Sequence, residues 1–225
     1  MTLLYPIGDM SASSNNGTID SISYGFFEPN GGCQSSPSYH NIHTKFQNQT
    51  ILATKKAEST LNISYEYENI FDGEFKQIQH FLDNVDESLT PFFVVDLSKG
   101  VIPTAIDGSW VVSLSNTRLF SSIPNKKGYY VFLYNGASWK FGTVSTITAN
   151  TSITISISSN FGNLLVAEAG IVTGPKATHV YPIYECYAMP NALDGMKKGE
   201  YINNDDADRG FLRSGSIGFV SKYKV

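Results

Sequence analysis

Residues 61–96 read LNISYEYENIFDGEFKQIQHFLDNVDESLTPFFVVD. Leu61, Ile63, Tyr65 and Tyr67 alternate with Asn62, Ser64, Glu66 and Glu68, the period-two pattern of a half-buried strand. The period then changes. Phe75, Ile78, Leu82 and Val85 recur at three- and four-residue spacing opposite Glu74, Lys76, Gln79 and Asp83, which predicts a helix from Glu74 to Asn84 with Asp72 placed to cap it. Thr90 precedes Pro91 and is pushed out of the α region, so residues 92–96 read as a buried strand. The unit is strand, helix, strand in a mainly β chain.

Outward from this unit, alternation continues at Ile22, Tyr24 and Phe26, and again beyond residue 179 at Tyr181, Ile183 and Tyr187. Between them the character shifts. Residues 101–178 hold seven charges, Arg118, Lys126, Lys127, Lys140 and Lys176 against Asp107 and Glu168, a balance of 5 − 2 = +3. The remainder of the chain, whose total is −4, therefore carries −4 − 3 = −7. Short strands are expected at 101–106, 110–115, 129–134, 139–148, 153–157 and 164–168, with Asn135-Gly136 suited to a type I′ turn. So many short strands suggest a small closed or partly closed barrel. We read it as an insertion spanning 99–178 within a domain made of 1–98 and 179–225, hinged at Lys99-Gly100 and Thr173-Gly174-Pro175. The stretch from Pro190 to Gly210 is polar and turn-rich, with Asn203, Asn204, Asp205, Asp206 and Asp208 in a loop, and 211–225 supplies a last strand.

Bulk properties exclude several classes. The 225 residues are 41% hydrophobic and 16% charged, enough apolar material for a core. Sixteen basic against twenty acidic side chains lack the footprint of phosphate-backbone binding. Cys33 and Cys186 are too few for a disulfide framework. Residues 1–10 contain no Lys or Arg and include Pro6, Gly8 and Asp9, so no secretory signal is expected; the sequons at Asn16, Asn48, Asn62 and Asn150 then reflect composition. No apolar run approaches the ~20 residues of a membrane-spanning helix.

Motifs that carry chemistry are incomplete. Cys33, His40, His43 and His80 offer one loose pair in a Ser- and Pro-rich loop rather than paired zinc motifs, so no metal is expected. Asn204, Asp206 and Asp208 begin like a calcium loop, but Arg209 and Gly215 stand where glycine and glutamate are required. Ser214-Gly215-Ser216-Ile217-Gly218 misses the nucleophile elbow by its first residue, His179 reads as a strand residue rather than a general base, and Cys186 as a buried thiol. Glu66 and Glu68 share one strand face, as a glycosidase pair would, yet polar-out alternation accounts for them. No catalytic residue and no cofactor is assigned. Trp110, Trp139 and Tyr130 are candidates for stacking on a sugar ring, so a carbohydrate-binding module is the alternative reading.

The order strand, helix with Ile78, Phe81 and Leu82 on one face, and aromatic strand with Pro91 and Phe92 resembles the tail-tube fold of distal tail and minor tail proteins of long-tailed bacteriophages. Some of these also carry an OB-like barrel after that strand, where 99–178 stands here. The resemblance implies a β-sandwich with one flanking helix and an OB-like β-barrel inserted in it. It implies a homo-oligomeric ring, commonly of six copies, at the distal end of the virion tail, made in the bacterial host cytoplasm. The ring's partners would be further copies of itself, the tail tube protein and the baseplate hub or tail-tip proteins, with phage DNA passing through the lumen unbound. Tyr65, Tyr67, Phe75, Ile78 and Leu82 are then the expected inter-subunit residues.

Overall fold

The computed structural model describes residues 3–5, 8–9, 17–19, 22–24, 29–38, 41–44, 53–56, 60–85, 90–106, 111–117, 120, 129–134, 139–148, 151–157, 179–202 and 210–222. Their strands, in chain order, are β1 (Leu3–Tyr5), β2 (Gly8–Asp9), β3 (Gly17–Ile19), β4 (Ile22–Tyr24), β5 (Gly32–Ser38), β6 (Asn41–Thr44), β7 (Ala53–Lys56), β8 (Thr60–Ile70), β9 (Phe92–Val95), β10 (Ala105–Ile106), β11 (Val111–Ser113), β12 (Tyr129–Tyr134), β13 (Trp139–Thr148), β14 (Ser152–Ile157), β15 (His179–Ala188), β16 (Lys197–Ile202) and β17 (Gly210–Ser221). One helix, α1 (Asp72–Asn84), links β8 to β9. Thirteen strands join one sheet, while β3–β4 and β6–β7 pair separately. The chain is mainly β with one flanking helix, as the alternation predicts.

The strand-helix-strand unit forms with a small correction at the cap. Phe71, not Asp72, is the N-cap, and its backbone N–H donates to Glu74 Oε2 at 2.9 Å. Asp72 is the first helical residue, and its carboxylate accepts from Arg213 Nε on β17 at 2.9 Å. The alternation along β8 is realised in full: Leu61, Ile63, Tyr65 and Tyr67 are buried, while Glu66 is half-buried and Glu68 exposed.

Two strands are shared between neighbours, and this rolls the sheet up. Along β15, β12 pairs with 179–183 and β17 with 186–188 on one side, while β9 takes 183–186 on the other. Along β17, β15 and β16 occupy opposite ends of one side and β8 fills the other. The run β2-β1-β9-β15-β17-β8-β5 results. It curls until β8 lies over β9, so that the Tyr65 hydroxyl donates to the Val95 carbonyl. Tyr5, Tyr65, Phe81, Phe92 and Phe219 meet inside, with ring centroids 4.8–6.5 Å apart. Helix α1 covers this core with Ile78, Phe81 and Leu82, and its C-cap Val85 joins them. Burying each such side chain contributes roughly 1.5–3 kcal/mol.

At Asp96 the chain turns but stays attached. The buried carboxylate caps a 3-10 turn, Leu97–Lys99, accepting from Ser98 N at 3.1 Å and Ser98 Oγ at 2.5 Å. Val101 pairs with Val180 directly after, so the sheet continues across the Lys99-Gly100 position. Gly100 is required there, since a Cβ would run into the Tyr181 ring. The following strands form an open array, β10-β11-β14-β13-β12, that joins β15 through β12. No closed barrel is present among the described residues, and the strand expected at 164–168 lies outside them. Tyr134 pairs with Trp139, leaving four residues between them; the turn at Asn135-Gly136 is also outside the described residues.

Three expectations are corrected. The glycine- and serine-rich segment after Gly31 is strand β5, paired along its whole length with β8. His43 lies in strand β6 rather than a loop, while His40 is outside the described residues. The polar stretch after Pro190 contains β16, whose residues are exposed or half-buried and hence lack alternation. In the middle of β15 both faces are buried, from Val180 through Tyr184, which hides the alternation there. Cys186 is buried, as its phase suggests.

Candidate functional site

The strands β5, β8, β17 and β16 make one four-stranded antiparallel layer. Arg213 pairs with Ile70 on one side and Lys198 on the other, which puts β16 and β8 on opposite flanks of β17. Among the described residues β5 pairs only with β8, and β16 only with β17. The layer therefore ends in two open edges, seven residues long at β5 and six at β16. Such edges carry a row of backbone donors and acceptors ready for another chain.

The β16 edge has a distinct surface. Tyr201 is 53% exposed, one of two large hydrophobic side chains that stand out among the described residues, the other being Ile102. Tyr201 packs edge-on against Phe211 at 5.0 Å, and Lys198 Nζ lies 3.4 Å from the centre of the Phe211 ring. A cation over an aromatic face at an exposed site such as this contributes about 0.5–1 kcal/mol, so the hairpin of β16 and β17 is braced without using its outer edge. At its base Arg213 stacks on Phe75 at 4.0 Å while bonding Asp72. The hydrogen bond from Arg213 holds the Asp72 carboxyl below the usual carboxylate range, against the opposing effect of burial.

The expected inter-subunit side chains lie elsewhere. Tyr65, Tyr67, Ile78 and Leu82 are 0–3% exposed within a single chain and have no surface to offer a neighbour. Strand β8 is flanked by β5 and β17, so neither of its edges is open. Phe75 is half-buried under Arg213. Sequence alternation marked these residues as apolar correctly, but alternation does not distinguish a core from an interface. The edge strands went unread because exposed residues carry no period.

Of the stacking candidates, Trp110 lies outside the described residues. Tyr130 pairs with Thr143 on β13, whereas Trp139 pairs with Tyr134 on β12. The two positions are thus four ladder steps apart, roughly 13 Å along the strands. Glu66 accepts from Gln34 Nε2 at 3.1 Å, and the Glu68 backbone is held by the Asn30 side chain through both its carbonyl and its N–H. No group of three or more metal-ligating side chains occurs among the described residues, and none of their helices is long and apolar enough to cross a membrane. No protein-family model and no curated protein matches the chain.

Proposed function

We propose that this chain is a structural protein of the long-tailed phage tail-ring type, building a closed homo-oligomer at the distal end of the virion tail. The observation that carries the reading is the pair of open edges at opposite ends of one four-stranded layer. A contact from β16 of one copy to β5 of the next is head-to-tail, and it closes into a ring when the rotation between copies divides a full turn. Each copy would then cover the edges that are otherwise left to aggregate.

The strand-helix-strand core supports the same reading, since α1 and the aromatic cluster make the layer rigid enough to transmit a fixed angle between copies. The charge of −7 outside 101–178 suits a lumen that DNA traverses without adhering. In this assignment the array from 99 to 178 belongs to an OB-like module projecting from the ring, and the tail tube and baseplate proteins are the axial neighbours.

Light scattering of the purified chain tests the proposal. A mass of several times 24.7 kDa that falls on replacing Tyr201 with aspartate supports it. A single-copy mass at every concentration argues against it.

A further inference from the structure

Where β15 hands over to β16, the chain leaves β17 and makes an outward excursion at 189–196. Three glycines permit it. Gly218 leaves room for the Met189 thioether, which a Cβ would approach to 2.7 Å; Gly195 lies against the Ser216 carbonyl; and Gly215, at φ +157°, faces the Gly195 backbone with no space for a side chain. The excursion is tied by Met189 N to Gly218 O, Asp194 N to Asn191 O and Met196 N to Leu193 O, each 2.9 Å. It forms a fixed wall.

Between this wall and the outer faces of β5 and β8 lies a groove of about 450 Å³. That volume is within the ~300–1,000 Å³ of sites that hold small organic ligands. Its floor presents Gln34, Asn62, Ser64 and Ser216, and its wall Met189 and Pro190. The ladder fixes their places: Ser64 pairs with both Gln34 and Gly218, and Ser216 with Glu66. None of the lining residues is charged, and the Glu66 carboxylate, across the ladder from the lining Ser216, accepts from Gln34.

We propose that this groove binds a neutral oligosaccharide. Amides and hydroxyls both donate and accept, which matches sugar hydroxyls that do the same. The lack of cations in the lining and the adjacent carboxylate disfavour phosphates and other anions. Met189 and Pro190 offer an apolar surface to the C–H face of a ring, and the tied wall keeps the ordering cost of binding small. The site is distinct from the Trp110, Trp139 and Tyr130 set and does not depend on ring formation.

The test is saturation-transfer and amide-shift NMR on the full chain, with chitotriose, cellotriose and maltotriose as probes. At least one binds in the millimolar range, shifting amides of β5, β8 and 189–195. Asn62→Ala and Ser64→Ala, both on the outer face, each weaken that binding about tenfold or more, while Trp139→Ala leaves it unchanged. The proposal is overturned if none of the three binds, if binding survives both outer-face variants, if Trp139→Ala abolishes it, or if a neutral Ser- and Asn-rich peptide takes the groove while the sugars do not. Retained amide dispersion in each variant separates lost contacts from lost fold.

Discussion

The hydroxyls of Tyr5 and Tyr67 bond each other at 2.7 Å with both rings buried, so each satisfies the other. Tyr67→Phe leaves the Tyr5 hydroxyl alone in the core, and chemical denaturation is expected to register a loss of about 1–3 kcal/mol. Replacing both tyrosines with phenylalanine costs less than the sum of the single changes, because the two hydroxyls that bond each other are removed together. Burial raises the Tyr5, Tyr65, Tyr67 and Tyr184 hydroxyls above their ordinary range. Each is therefore neutral in the folded chain, and its contribution is complete below the unfolded value near ~10 and lost as pH rises beyond it. An alkaline titration followed by tyrosinate absorbance should show these four of the thirteen tyrosines ionising only with loss of the fold. Simultaneous ionisation of all thirteen with circular dichroism intact contradicts it. Burial, then the Asp96 charge, pushes the Cys33 thiol up to about 12, and Cys186 is raised by burial as well. Neither should react with iodoacetamide near neutral pH until urea unfolds the chain.

At the scale of elements, α1 is held by a buried apolar face and by an ionic contact. Phe81 meets Tyr5 at 5.2 Å and Phe92 at 5.3 Å, so Phe81→Ala should cost about 3–5 kcal/mol in a urea melt. The Asp72–Arg213 bond is half-exposed, and Asp72→Asn should cost no more than about 1 kcal/mol at neutral pH. Because Arg213 lowers the Asp72 value in the fold, this contribution is present above the unfolded value near ~3.9 and disappears as pH falls through the folded one. The gap between variant and wild-type stability should close in acid. The same elements show what could be read from the chain alone. Strand β8 and helix α1 were legible because each buries one face and so writes its period into the residues. Strand β5, with Gly32, Ser35 and Ser38, and strand β16, with Lys197, Lys198 and Glu200, bury little and carry no period; their structure comes from β8 and β17, distant in sequence. The groove was illegible for a related reason. Its residues come from four separate stretches, and only the pairing of Ser64 with Gly218 and Gln34 brings them together.

For the whole molecule, the sheet is rolled and closed over by α1, and among the described residues its terminal strands β2, β5, β10 and β16 each pair on one side only. Copies joined through those edges should resist aggregation better than separated ones, since assembly hides the exposed backbone. The most direct measurement is the solution mass by sedimentation velocity, for the wild-type chain and for Tyr201→Asp on β16. Ring closure requires a closed multiple of 24.7 kDa for the wild type and a shift toward single chains for the variant, with unchanged circular dichroism. A wild-type chain that stays at 24.7 kDa as concentration rises, or a multiple indifferent to Tyr201→Asp, contradicts it.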